Sequence, residues 1–370
     1  MCGSDNMTGL YIHIPFCLTK CPYCDFYSVQ YGRGLAEEYK RAVIRNLNYY
    51  KDEKFDTVYF GGGTPILLWK EIVEILENVS AADNAEITLE ANPCVVLKES
   101  LTELRRAGVN RISLGVQSLN DKELKALGRR HNGETAIKAL ETAYNCGFEN
   151  ISADLMLATP LQTKESLYET VSQLEKLPVS HISAYMLKIE ENTPFAQREL
   201  ILPDEDVICE MYLNTVKQLE DLGFRQYEIS NFAKEGFICR HNMKYWNCGE
   251  YLGIGPAAHS YYKGERFCVN RDIDGFIRSE RQEAVREDPE GAAFGGYEEY
   301  AMLRLRLAEG LDLKEYKRRG GNAEMLLKEA EKIPKGCFNF NGESISLTPK
   351  GFLVSNTIIA KLLGYYCSPN

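Results

Sequence analysis

Hydrophobic positions follow two alternating periods along the first half of the chain. Short runs rich in β-branched and aromatic residues predict six strands, at residues 10–14, 57–60, 86–90, 111–116, 150–155 and 181–187. Stretches with apolar residues every three or four positions predict amphipathic helices between them, at residues 36–49, 69–78, 97–107, 134–146 and 164–177. Six strand–helix units in succession predict a parallel sheet that curls into all or part of a barrel. After residue 187 this alternation stops, and a helix is predicted at about 207–222.

Length and composition indicate the number of domains and the classes of partner that this α/β protein is expected to have. A chain of 370 residues is long for one compact core, so we expect one large domain with an appendage. The hydrophobic content of 44% and the charged content of 26% are typical of soluble globular proteins. The formal net charge of -10 argues against broad binding to nucleic acid or to an anionic membrane surface. We therefore expect no nucleic-acid partner.

The twelve cysteines are scattered apart from one group of three, which favours reduced thiols over a disulfide framework. The first ten residues show no basic segment followed by an apolar one, and no apolar run approaches the length of a bilayer. These patterns predict a cytoplasmic protein without an integral membrane segment.

The group of three consists of Cys17, Cys21 and Cys24, directly after the first predicted strand. A structural zinc site normally takes four protein ligands, whereas an iron–sulfur cube held by three cysteines keeps one iron open to a small molecule. The spacing C-x3-C-x2-C therefore favours such a cluster. Buried reduced cysteines, or half of a zinc site completed elsewhere, remain the alternatives.

Polar and glycine residues follow each predicted strand. In parallel α/β sheets the carboxyl ends of the strands share one edge, so these residues should meet around the cysteine loop. The glycines at 61–63 let the backbone approach a charged ligand, and Glu90 could accept hydrogen bonds from a ribose diol. An ordinary turn and a solvated glutamate are the simpler interpretations of these two features.

A second group of chemically versatile residues lies at 239–246, where His241, Tyr245 and Trp246 fall close together. They could offer an axial ligand and aromatic walls to a flat macrocycle. On chemistry alone, a histidine in a hydrogen-bonded turn with aromatic core residues is the favoured alternative. His259 follows another small-residue turn, and it is either a neighbour of the cofactor face or an ordinary loop histidine.

The chain resembles the radical S-adenosylmethionine (SAM) family of oxygen-independent coproporphyrinogen III oxidases and related heme chaperones. The motifs that carry this resemblance are Tyr11-Ile-His-Ile-Pro-Phe-Cys, the cysteine spacing, Gly-Gly-Gly-Thr-Pro, Ser-Leu-Gly-Val-Gln and Asp-Leu-Met. The resemblance implies a partial (β/α)6 barrel, a [4Fe-4S] cluster on Cys17, Cys21 and Cys24, and SAM on the fourth iron. By the same matching, the primary SAM site comprises Tyr11, Tyr23, Gly62 and Glu90. Residues matching a second SAM site of the oxidases are Gly63, Thr64, Gln117, Arg129, Asp154 and Met186.

The resemblance also implies a small C-terminal helical module with a β-wing, and we place the boundary between residues 1–285 and 286–370. Two functions are the main alternatives: radical decarboxylation of coproporphyrinogen III, or a chaperone that carries heme to an acceptor protein. A third is a radical SAM enzyme that acts on another substrate, since the cluster and SAM residues do not identify what the radical attacks. An electron donor is needed in either case if SAM is cleaved. Three features favour the chaperone. Phe26 stands where the oxidases have a further cysteine, and few residues precede the first strand. His241 to Trp246 form the H-N-x-x-Y-W motif of the chaperone branch, which is implicated in heme binding.

Overall fold

A computed structural model of the chain describes residues 7–287 and 294–365. All six predicted strands are present and parallel, in the order of the sequence. They are β1 (Thr8–Ile14), β2 (Phe55–Gly62), β3 (Ala81–Ala91), β4 (Arg111–Gln117), β5 (Asn150–Leu157) and β6 (His181–Met186). The helices of this part are α1 (Arg33–Leu47), α2 (Trp69–Leu76), α3 (Lys98–Arg106), α4 (Asp121–Ala126), α5 (Gly133–Asn145) and α6 (Lys164–Leu174).

The two faces of the six strands differ in chemistry. Successive side chains point to opposite faces of a strand, and one face carries buried apolar residues such as Leu10, Val58 and Ile112, which belong to the hydrophobic core shared with the helices. The other face is largely polar, and its side chains hydrogen-bond across the strands. We call the space that they line the polar chamber; its lining includes Tyr11, His13, Thr57, Tyr59, Glu86, Thr88, Glu90, Arg111, Ser113, Ser152, Asp154, His181 and Ser183.

Six further strands extend this sheet at both edges, and the sequence pattern does not indicate them because they are short. They are β7 (Arg225–Gln226), β8 (Asn231–Ala233), β9 (Tyr251–Ile254), β10 (His259–Tyr262), β11 (Glu265–Val269) and β12 (Ala284–Arg286). The full order is β12-β11-β10-β9-β1-β2-β3-β4-β5-β6-β8-β7. Strand β9 runs parallel to β1, while β8 pairs antiparallel with β6. Because β1 and β6 each pair with an added strand instead of with each other, the barrel is open.

Helices α7 (Glu205–Asp221), α8 (Arg240–Trp246) and α9 (Ile273–Arg278) complete the large unit. The predicted helix at 207–222 corresponds to α7. Helix α8 lies against the amino-terminal end of β2, where Lys244 forms an ion pair with Asp56 at 2.8 Å. The cysteine loop lies at the opposite, carboxyl end of the strands. In residues 7–287 and 294–365, no helix has both the length and the apolar character that crossing a membrane requires.

The C-terminal region has the helices and the small sheet expected of it. Its elements are α10 (Tyr297–Arg304), β13 (Leu311–Asp312), α11 (Leu313–Arg318), α12 (Ala323–Ala330), β14 (Phe338–Phe340), β15 (Ser344–Leu347), α13 (Pro349–Leu353) and α14 (Ser355–Leu362), with sheet order β13-β15-β14. Backbone hydrogen bonds join it to the segment before β8, from Ile229 to Arg306 and from Ala308 to Tyr227. Strand β12, which spans the predicted boundary, still belongs to the large sheet. The boundary at 285 stays a prediction.

Candidate functional site at the carboxyl end of the barrel strands

The cysteine loop is held by its own short backbone pairs. Phe16–Cys17 pairs in parallel with Val29–Gln30, and the amide of Cys24 donates to the carbonyl of Cys21 at 3.1 Å. The three thiols are half-buried, and none forms a disulfide. Burial raises the pKa of the Cys24 thiol, so a metal that takes its thiolate must displace the proton. Three thiols in one loop fit an iron–sulfur cube that keeps one iron open.

Residues from the loops after β2 and after α4 approach two of these sulfur atoms. The Thr64 hydroxyl oxygen lies 3.7 Å from the Cys17 sulfur. Arg129 donates from Nη1 to the Cys21 sulfur at 3.5 Å and to the Tyr23 hydroxyl at 3.2 Å. The positively charged guanidinium therefore lies beside one of the three candidate cluster ligands. Arg129 also donates from Nη2 to the carbonyl of Gly115 at 2.7 Å, which fixes its side chain to the end of β4.

The glycine turn after β2 can be made only with glycine. Gly62 has a φ of +113°, and a Cβ on it would lie 2.7 Å from the His13 ring; a Cβ on Gly63 would lie 2.6 Å from the Phe16 carbonyl oxygen. The His13 ring is itself fixed, with Nδ1 3.0 Å from the Tyr11 hydroxyl and Nε2 2.9 Å from the Tyr27 carbonyl. The turn is therefore packed directly beneath the cysteine loop.

Glu90 reaches this turn from β3. Its carboxylate accepts from the Tyr59 hydroxyl at 2.9 Å and from the amide of Gly62 at 3.1 Å. Burial, aided by the nearby charge of Asp154, raises the pKa of Glu90 to about 7, against the opposing effect of the Tyr59 hydrogen bond. Its ionisation therefore changes near neutral pH.

Three other predicted SAM residues lie on β4, β5 and β6. Asp154 accepts from the Ser113 hydroxyl at 2.9 Å and from the Ser152 hydroxyl at 3.1 Å. Gln117 has a φ of +65°, which is a strained conformation for a residue other than glycine. It follows a register shift between β4 and β5. Met186 ends β6 with an exposed side chain.

His241 lies at the other end of the polar chamber. Its ring is buried, with Nδ1 2.8 Å from the Thr57 hydroxyl and Nε2 2.8 Å from the Tyr245 hydroxyl. Burial lowers the pKa of His241 to about 3, so the ring is neutral. This is the hydrogen-bonded arrangement named above as the alternative to an axial ligand. Trp246 is half-buried.

Comparison with known proteins decides the family. The model of the Radical SAM superfamily matches residues 11–174, and that of the HemN C-terminal domain matches residues 297–354. A protein named heme chaperone HemW from Haemophilus influenzae is 36% identical and is aligned over 96% of this chain and 97% of its own. The HemW proteins of Escherichia coli and Bacillus subtilis are 35% and 33% identical, over 96% and 97% of this chain and 98% and 100% of theirs. The chain belongs to the HemW family of radical SAM proteins.

A solved structure supports the fold. The coproporphyrinogen III oxidase HemN from Escherichia coli, described as a radical SAM enzyme, superimposes with a TM-score of 0.80 over 98% of this chain and 91% of its own, at 20% identity. This likeness confirms the predicted α/β fold with its C-terminal domain. Membership of the radical SAM superfamily implies a [4Fe-4S] cluster and SAM. The assignment of individual residues to the cluster and to SAM stays a prediction.

Several residues of the chamber carry no sequence signal that singled them out, and three of them make contacts that connect the chamber. Tyr59 stacks on His241 and donates to Glu90, so it connects the two ends of the chamber. Glu86 accepts from the backbone amides of Arg240 and His241, both at 3.0 Å, and thereby anchors α8. Arg111 is buried at the start of β4. Polar residues at every second position, as at 86, 88 and 90, are the signal that could have revealed this inward polar face.

Proposed function

We propose that this protein is a heme chaperone, which binds a [4Fe-4S] cluster and SAM at the carboxyl end of the barrel and delivers heme to an acceptor protein. The observation that carries the proposal is identity of 33–36% to proteins named heme chaperone HemW over nearly the whole of both chains. The fold alone does not distinguish the chaperone from the oxidase, since HemN has the same architecture.

The residues at the cysteine loop suit the cluster and SAM. Cys17, Cys21 and Cys24 would hold three irons, and Tyr11, Tyr23, Gly62 and Glu90 would surround SAM. A bound, reduced cluster would supply one electron for cleavage of SAM, and an electron-donor protein would then be needed to reduce it. The amides of the glycine turn are engaged within the protein, and the Glu90 carboxylate that accepts from Gly62 could also accept from the hydroxyl groups of a ribose. The candidate second SAM site consists of Gly63, Thr64, Gln117, Arg129, Asp154 and Met186.

The alternative function is oxygen-independent coproporphyrinogen III oxidation. Phe26 argues against it, because the oxidases place a further cysteine two residues after the third cluster ligand. Its side chain is 67% exposed beside the cysteine loop. An exposed aromatic surface next to the cofactor suits contact with a porphyrin or with a protein better than it suits metal ligation.

For heme, we keep His241, Tyr245 and Trp246 as the candidate site. Iron coordination at either ring nitrogen of His241 would replace the hydrogen bond to Thr57 or to Tyr245. The proposal therefore requires α8 to move away from the chamber when heme binds. We expect this to take place in the cytoplasm, where the thiols stay reduced.

Heme titration of the reconstituted, anaerobic protein tests the proposal, followed by mixing with a heme-free globin as acceptor. We expect about one heme per chain and transfer to the globin, both visible in the Soret region. His241→Ala should weaken binding. Thr57→Val is the matched control, because it removes one hydrogen bond of the ring but keeps the imidazole. Failure of the wild-type protein to bind or release heme would refute the chaperone function.

A further inference from the structure

Three potential metal ligands converge at the edge of the large sheet, away from the cysteine loop in sequence. They are His259 on β10, Cys268 on β11 and Glu287 directly after β12. Their ligand atoms all lie within 4.8 Å of one another. We propose that these three residues form a binding site for a divalent transition-metal ion, with zinc as the expected occupant.

The strand pairing explains why the side chains share a face. His259 pairs directly with Cys268 across β10 and β11, and Cys268 pairs with Val285 across β11 and β12. Paired residues lie on the same face of a sheet, and Glu287 returns to that face two positions after Val285. The amide of Glu287 also donates to the carbonyl of Arg266 at 2.9 Å, which continues the β11–β12 pairing and fixes the glutamate beside Cys268.

The ligand types match zinc. An imidazole nitrogen, a thiolate sulfur and a carboxylate oxygen are the three donors that zinc takes in proteins. In the present arrangement Nδ1 of His259 lies 3.0 Å from the Glu287 carboxylate, so the donors already face one point. A thiolate and a carboxylate together carry two negative charges, which balance a divalent cation. Because the site is partly exposed, with 56% of the His259 side chain accessible, water can fill a fourth position.

Heme iron is a poorer occupant than a bare ion. Heme iron accepts one protein ligand on each face of the macrocycle. Here the three donor atoms lie within 4.8 Å of one another on the same face of the sheet, so a porphyrin does not fit between them. The geometry points to an ion that takes several protein ligands at once.

Metal content and X-ray absorption test this site on the anaerobic protein with its cluster assembled. After equilibration with zinc sulfate and removal of loosely bound metal on a chelating resin, we expect about one zinc per chain. Cys268→Ser and His259→Gln should each lose most of that zinc while retaining the iron of the wild type. Cys146→Ser is the matched control, since Cys146 is another half-buried thiol, hydrogen-bonded to Thr102 instead.

Zinc K-edge absorption then identifies the ligands without interference from iron. We expect one sulfur at about 2.3 Å and nitrogen or oxygen ligands at about 2.0–2.1 Å. A shell of three sulfurs would place the zinc in the cysteine loop and overturn the proposal, as would equal zinc in the wild type and both variants. His259→Gln alters an exposed side chain, so it remains informative if Cys268→Ser does not fold. None of these outcomes depends on heme binding.

Discussion

The phenol ring of Tyr59 stacks on the imidazole of His241, with ring centroids 5.1 Å apart and an interplanar angle of 28°. The same Tyr59 donates its hydroxyl hydrogen to Glu90 at 2.9 Å. One side chain therefore touches both the residue expected to bind SAM and the residue expected to bind heme. Displacement of His241 on heme binding would free one face of Tyr59.

The pH dependence of SAM binding should report on Glu90. With a pKa of about 7, Glu90 is mostly protonated below that value and ionised above it. The ionised carboxylate accepts hydroxyl hydrogens better, so affinity should rise about tenfold between about pH 6 and about pH 8. Calorimetry of the cluster-loaded protein measures this.

Glu90→Gln is the control, because any change of affinity caused by titration of SAM itself remains in this variant. Its affinity for SAM should therefore not show the rise with pH that ionisation of Glu90 causes. Tyr59→Phe removes a hydrogen bond that lowers the pKa of Glu90, so its midpoint should move above that of the wild type. Equal profiles for the wild type and Glu90→Gln would contradict a role of Glu90 in SAM binding.

Loss of His241 should destabilise the fold independently of heme. His241→Ala removes two buried hydrogen bonds and leaves a cavity among aromatic rings, which should lower the free energy of unfolding by about 3 kcal/mol. Thr57→Val should cost about 1 kcal/mol. Denaturant titration measures both. If Thr57→Val weakens heme binding as much as His241→Ala, the effect on heme is structural and His241 is not the ligand.

Measurement of the iron content can distinguish the predicted cluster ligands from a neighbouring cysteine that does not bind iron. Alanine at Cys17, Cys21 or Cys24 should abolish the cluster and its visible absorption after anaerobic reconstitution. Cys94 is exposed in the turn Pro93–Val95 that follows β3 at the same end of the barrel, and Cys94→Ser should keep about four irons per chain. Retention of iron in all three alanine variants would rule out the cluster assignment.

Arg129 should tune the reduction potential of the cluster. Its guanidinium donates to the Cys21 sulfur, and a positive charge at this distance favours the reduced cluster. Arg129→Leu should lower the potential by on the order of 50–100 mV. The exposed neighbour Arg130 provides the control, as Arg130→Leu should cause a smaller change. Redox titration followed by electron paramagnetic resonance measures the difference; equal potentials in the two variants would show that the contact has no electrostatic effect.

The six central strands and the cysteine loop could be predicted because their signals are local. Periodicity defines the strands, and the cysteine spacing lies within eight residues. Apart from Tyr23 and Arg129, the predicted SAM residues lie on the six parallel strands or directly after β2, and a parallel sheet brings these positions together. Strand β3 begins at Ala81, earlier than predicted, since its first residues pair with the start of β2 instead of following the apolar pattern.

The contacts that could not be predicted join distant parts of the chain. Thr57 and His241 are 184 positions apart, and no local pattern indicates their hydrogen bond. His259 was recognised only as a candidate near the cofactor face, because its partners Cys268 and Glu287 depend on the pairing of three short edge strands. Such contacts are set by the packing of the whole sheet.

The proposed function makes heme the cargo of this protein and excludes coproporphyrinogen III as its substrate. The most direct test is an anaerobic assay of coproporphyrinogen III decarboxylation by cluster-loaded protein with SAM and a reductant, beside a heme titration of the same sample. We predict stoichiometric heme binding without formation of protoporphyrinogen. Turnover of coproporphyrinogen III to protoporphyrinogen would refute the chaperone function and favour the oxidase.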